Sequence, residues 1–206
     1  MKAHNKETQD TMTSEKALNI LKEGNARFEK NLKANRDLLE QVKETSNGQF
    51  PFAVVLSCID SRVSAELVFD QGVGDIFSVR IAGNFVNEDI LGSMEFACKL
   101  AGSKLIVVLG HSNCGAINGA CDDARLGNLT SLIGKIKPAV EAVTEPSENR
   151  NSSNSEFVAK VAHVNVEMTI ANIKEQSPVL KEMLDKNEIG IVGGMYDVSS
   201  GKVSFT

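Results

Sequence analysis

Two short stretches of this chain carry side chains able to do chemistry. "VVLSCIDSRV" (54–63) sets Cys58, Asp60 and Arg62 at alternate positions where an apolar run ends, and "VVLGHSNCGA" (107–116) sets His111 and Cys114 after another. Taken singly these are weak signals, because a free cysteine is often only a small buried hydrophobe. Together, two thiolates and one imidazole make a three-ligand zinc set whose fourth position is free for water or substrate, the arrangement of a catalytic rather than a structural zinc. The three meet at one point only if the two apolar runs are neighbouring strands. Glycines at 110 and 115 flank the second pair, where close approach of metal or substrate would leave no room for a side chain.

Asp60 and Arg62, one residue apart in an extended turn, can face the same way, and an arginine fork can hold a carboxylate by two charge-assisted hydrogen bonds. They are either a surface ion pair worth under about 1 kcal/mol or a switch. Beside a zinc the carboxylate is itself a possible ligand: paired with Arg62 it leaves the metal open, and released it closes the site.

The elements that must position these groups follow from hydrophobic period. "PFAVVLSC", "DIFSVRI" (75–81) and "SKLIVVLGH" (103–111) read as strands buried on both faces. "SAELVFDQ" and 89–102 read as the helices between them, and strand–helix alternation is the order of a parallel sheet in an α/β fold. In such a sheet ligands bind beyond the carboxyl ends of the strands, which is where Cys58 and His111 fall. Before the first strand, Thr13 caps an amphipathic helix over 14–33 with Ala17, Leu21, Phe28 and Leu32 on one face, and a shorter helix covers 36–45. After the third strand come helices over 114–124 and 130–143, and a polar surface loop at 145–156. A long helix follows over 157–174, continuing past Pro178 to 186, and then "IGIVGGMYDV" with a final short strand paired as an edge hairpin.

The length of 206 residues at 42% hydrophobic suits one domain, 1–206, whose first 48 residues form a helical arm that covers either its own core or a partner's. A net charge of -5 argues against a nucleic-acid partner. No run approaches the roughly 18 apolar residues of a membrane span, and the polar start lacks a signal-peptide core, so a soluble, cytoplasmic protein is expected. Four cysteines are too sparse for a disulfide scaffold. Cys98 and Cys121 read as core, and neither His4 nor His163 is marked as a proton shuttle.

Cys-x-Asp-x-Arg followed by His-x-x-Cys-Gly resembles the β-class carbonic anhydrases, and the likeness runs from about Gln49 through Ala120. The resemblance implies four parallel strands with an antiparallel C-terminal edge strand, and a homodimer or dimer of dimers. Cys58, His111 and Cys114 would hold a zinc ion, and Asp60 with Arg62 would gate its fourth position, Asp60 ligating in a closed form. Gln49 matches the family's bicarbonate-binding glutamine and Phe77 the aromatic wall of the pocket. Ala82 stands where a small apolar residue lines it, Gly115 falls beside the substrate, and Phe96 replaces a frequent tyrosine. The implied reaction is reversible hydration of carbon dioxide to bicarbonate and a proton by zinc-bound hydroxide. Two other readings use the same ligands: hydrolysis of a related linear substrate such as carbon disulfide, and a non-catalytic, zinc-stabilised interaction module closed by Asp60.

Overall fold

The computed structural model describes residues 1–206. Five strands form one sheet: β1 (Ala53–Ser57), β2 (Ile76–Arg80), β3 (Leu105–His111), β4 (Gly190–Tyr196) and β5 (Val203–Phe205). Their order is β2-β1-β3-β4-β5, with β5 antiparallel to β4 and every other pairing parallel. This is the α/β architecture the family resemblance implied. The adjacency of β1 and β3, with Ser57 opposite Leu109, brings the two chemistry-bearing strand ends side by side.

Side chains alternate across a strand, so β1 and β3 feed both faces of the sheet. Val55, Leu105, Val107 and Leu109 pack with Ala17 and Leu21 of α2 (Ser14–Glu29) and Val68 of α4 (Ala65–Val68). Val54, Leu56, Ile106 and Val108 face the other way, onto Met94 of α5 (Glu88–Glu95), Ile173 of α9 (Ser155–Gln176) and Leu180 of α10 (Pro178–Asp185). Of the three strands expected to be buried on both faces, only β2 departs from that pattern. It is one edge of the sheet, with Ser78 and Arg80 exposed and Phe77 and Val79 half-buried.

Helix boundaries differ from the periodic pattern where local backbone chemistry overrides it. Thr13 does cap α2, accepting from the Lys16 N–H, but the helix stops at Glu29 and Asn31 turns left-handed at φ 52°, which leaves Leu32 exposed. A short helix α1 (Lys6–Asp10), not expected from the sequence, is closed by a capping box between Asn5 and Thr8. The second helix of the arm, α3, spans Leu38–Glu44. The stretch 89–102 ends in a π turn at Phe96–Leu100. The expected helix over 130–143 is two, α7 (Gly127–Gly134) and α8 (Lys137–Ala142), because Pro138 belongs to a first turn. The same holds at Ser177: it ends α9 and its hydroxyl caps α10 ahead of Pro178.

The arm covers its own protomer, through α2. Asp70, which follows α4, accepts from Arg27, from Arg36 Nη1 at 2.8 Å and from the Ala34 N–H at 3.0 Å, tying the arm to the connection between α4 and β2. No helix is long and apolar enough to cross a membrane.

Candidate metal centre

Cys58 is the first residue past β1, His111 is the last of β3, and Cys114 is the N-cap of α6 (Gly115–Cys121). Asn113, left-handed at φ 55°, turns the chain so that Cys114 comes back toward the strand ends. The two sulfurs and a ring nitrogen all lie within 4.8 Å of one another, and all three residues are buried. The sulfurs stand 3.9 Å apart and unbridged, close to the roughly 3.8 Å that two Zn–S bonds of about 2.3 Å subtend at a tetrahedral centre.

His111 is oriented for a cation. Its Nδ1 lies 2.9 Å from the carbonyl of Ser112, so the proton is assigned there and Nε2 keeps its lone pair. Nε2 is buried and has no hydrogen-bond partner, a state that costs free energy unless something binds it. Ser112 is itself fixed: its N–H donates to the Tyr196 carbonyl at 2.9 Å and its hydroxyl to Asp197 at 3.2 Å. A hydrogen bond from Cys114 lowers the pKa of Cys58, while the bond to Cys58, burial and repulsion raise that of Cys114. A divalent ion removes that conflict by neutralising both. Donor type, spacing and the orphaned nitrogen all fit zinc.

Asp60 and Arg62 form the fork expected of them. Arg62 Nε donates to Oδ1 at 2.9 Å and Nη2 to Oδ2 at 2.7 Å, while the Arg62 N–H adds a bond to Oδ1 at 2.9 Å. The Arg62 guanidinium holds the Asp60 carboxyl below the usual carboxylate range. Nη2 of Arg62 also reaches the Asn113 carbonyl at 3.3 Å, which links the dyad to the loop carrying Cys114.

The remaining expected site residues are scattered within one protomer. A cleft of about 420 Å³ beside His111 is lined by Asn113, His163, Tyr196 and Lys202 among others. Gln49 lines a different surface cleft with Thr45 and Val73. Phe77 lies edge-on to Phe96, ring centroids 6.2 Å apart, in a third cleft that includes Arg80. Ala82 is half-buried next to Gly83. The two glycines differ in their reasons. A Cβ at Gly110 would meet Met195 Sδ at 2.6 Å and Val166 at 2.7 Å, so packing rather than a ligand excludes it; at Gly115 a Cβ would meet no protein atom. Cys98 is core as expected, and Cys121 only half-buried.

Sequence reading passed over two supports. Arg80, at the end of β2, donates to the carbonyls of Cys58 at 3.0 Å and Asp60 at 2.8 Å. The Gly83 N–H lies 3.5 Å from Cys58 Sγ. The one available hint was an arginine closing an apolar strand; a backbone N–H leaves no mark in a sequence.

Comparison with known proteins agrees with this geometry. The family model described as carbonic anhydrase matches residues 53–203. "Carbonic anhydrase 2" of Mycobacterium tuberculosis is 35% identical over 187 residues, covering 90% of this chain and 89% of that one. The β-carbonic anhydrase CafA of Aspergillus fumigatus superposes with a TM-score of 0.73 at 26% identity, over 82% of this chain and 81% of that one. One of two tetrameric β-carbonic anhydrases from Sordaria macrospora gives 0.69 at 25%, over 79% and 84%. With the match spanning the sheet, both cysteine-bearing loops and most of the helices, this chain belongs to the carbonic anhydrase family and is an enzyme of its β class.

Proposed function

We propose that the chain catalyses reversible hydration of carbon dioxide to bicarbonate and a proton, with zinc held by Cys58, His111 and Cys114. The observation that carries this is the buried, partnerless Nε2 of His111 converging with two unbridged sulfurs. When bound, zinc supplies Lewis-acid activation of water as the nucleophile toward carbon dioxide. The protein's own groups do the rest. The Ser112 carbonyl keeps the His111 proton on Nδ1, Arg80 pins the carbonyls on either side of Ile59, and Arg62 occupies both oxygens of Asp60.

That last contact supports an open fourth position, since Asp60 held in this way is turned to Arg62 rather than free to ligate. It favours an enzyme over an interaction module closed by Asp60. Gln49, Phe77, Ala82 and Gly115 are proposed to line the substrate's path. Because Gln49 and Phe77 lie outside the His111 cleft of their own chain, a second copy is the proposed source of these two in an active dimer.

A stopped-flow assay of carbon dioxide hydration on zinc-loaded protein tests the reading. A rate well above buffer that disappears in Cys114→Ser supports it. A zinc-loaded protein that leaves carbon dioxide at the buffer rate overturns it, and turnover of carbon disulfide in the same sample would then identify the substrate.

A further inference from the structure

Asn165 is a polar residue inside the buried stripe of α9, among Val161, Ala162, Val166 and Thr169, and only 4 residues or fewer separate it from each of them. It is 3% exposed. A buried amide in an apolar stripe is costly unless it bonds, and Asn165 Nδ2 donates to the carbonyl of Gly83 at 2.8 Å. Gly83 is the residue whose N–H faces Cys58 Sγ at 3.5 Å.

The chain around Gly83 is fixed at three points. The Ile81 N–H donates to the Ser57 carbonyl at 3.1 Å, anchoring the start of the turn to the end of β1. The Asn84 N–H closes the turn on the Ile81 carbonyl at 3.0 Å. Gly83 takes its third position at φ 81°, the left-handed geometry a type II turn demands there. A Cβ on Gly83 would stand 2.4 Å from Ile136 Cδ1. Ile136 therefore closes one side of the glycine, and Asn165 holds its carbonyl.

We infer that Asn165 is a positioning residue for the metal centre: through Gly83 it aims a backbone N–H at the sulfur of Cys58 and so weakens that thiolate as a donor. Hydrogen bonds to a ligand's own atoms tune the metal as well as orient the ligand, and losing such a partner typically costs about 10–100-fold in metal affinity or activity. The inference rests on the metal-site reading above and adds a residue to it.

Cobalt(II) and cadmium serve as probes, because both report on sulfur directly. Relative to wild type, cobalt-loaded Asn165→Leu should show its sulfur-to-cobalt charge-transfer band at lower energy, since a thiolate relieved of its hydrogen bond is easier to oxidise. Competition with a chelator should still show metal affinity reduced by about tenfold, because a turn freed from Asn165 no longer holds the Cys58 sulfur in place and that loss outweighs the stronger donor. In wild type loaded with cadmium-113, the Gly83 amide proton should show scalar coupling to the metal through Cys58, a measurement that does not depend on the variant folding. An unshifted band with unchanged affinity, or a Gly83 amide uncoupled to cadmium, overturns the role of Asn165 while the metal site stands. Wild-type protein that binds neither metal overturns both.

Discussion

Arg62 grips Asp60 by three hydrogen bonds, one from its own N–H and two from its guanidinium, and in the proposed mechanism those bonds keep the carboxylate from the metal. Replacing Arg62 with alanine frees Asp60, so turnover should fall on the order of 10²-fold, as misplacement of a group at the reacting centre does, while zinc content stays at one per chain. Metal analysis beside the stopped-flow rate checks both halves. The pH dependence has a definite sign. Because the Asp60 pKa is depressed by Arg62, the pair's contribution is complete above the ordinary carboxylate value and is lost only as pH falls through the depressed one. In Arg62→Ala the carboxyl rises toward its ordinary value near 3.9, still well below neutrality. Between pH 6 and 9 the variant's profile should keep the wild-type shape at reduced height, and an acid limb moved into that window would contradict the role given to Asp60. The three candidate metal-ligating residues were legible in the sequence because each is a scarce side chain at a strand end or just past one. Gly83 was not, since it acts by a main-chain N–H, nor was Asn165, whose partner lies 82 positions away.

Among the elements, the close approach of α2 to the end of α4 is the contact most sensitive to one atom. A Cβ on Gly24 would stand 1.8 Å from the Phe69 carbonyl oxygen, a backbone atom with no rotamer to yield. Alanine would add about 1 kcal/mol of helix propensity, but forcing the helices apart costs about 1–3 kcal/mol or more. It also disturbs the neighbouring Asn25, whose amide bonds Val68 of α4 and Gly201 and Val203 of the β4–β5 hairpin. The clash should win, and Gly24→Ala should lower the melting temperature by several degrees at about 2–4 °C per kcal/mol. A calorimetric scan showing no change would mean that α2 is not held at this distance. Strands β1 and β3 and the parallel order could be read from apolar runs because both faces of each strand are buried. The edge position of β2 could not, since a run such as "DIFSVRI" does not say what lies beside it. The breaks at Ser177 and near Pro138 were concealed by an apolar period that continues on both sides of each proline.

At the scale of the molecule, one protomer is unfinished as a surface. Leu32, Leu38 and Leu67 line one cleft at 56%, 54% and 60% exposure, and β2 leaves one side of its backbone unpaired. Exposed leucines gathered at one cleft point to an interaction site, and an open strand edge invites another chain. Self-association is the expected outcome, as a dimer or a dimer of dimers. Each copy carries a net charge of -5, so the copies repel at long range and association should tighten as salt screens that repulsion. Sedimentation equilibrium at low and high salt measures it. The double variant Leu38→Asp, Leu67→Asp alters exposed positions where a folded protomer tolerates change, and it should shift the population toward monomer with one zinc per chain retained. If Gln49 and Phe77 reach the metal only from a second copy, the monomer should lose most of its carbon dioxide hydration rate despite an intact set of ligands. A monomer that hydrates carbon dioxide at the full rate would return those two residues to the protomer's own surface and leave catalysis to the strand ends of one chain.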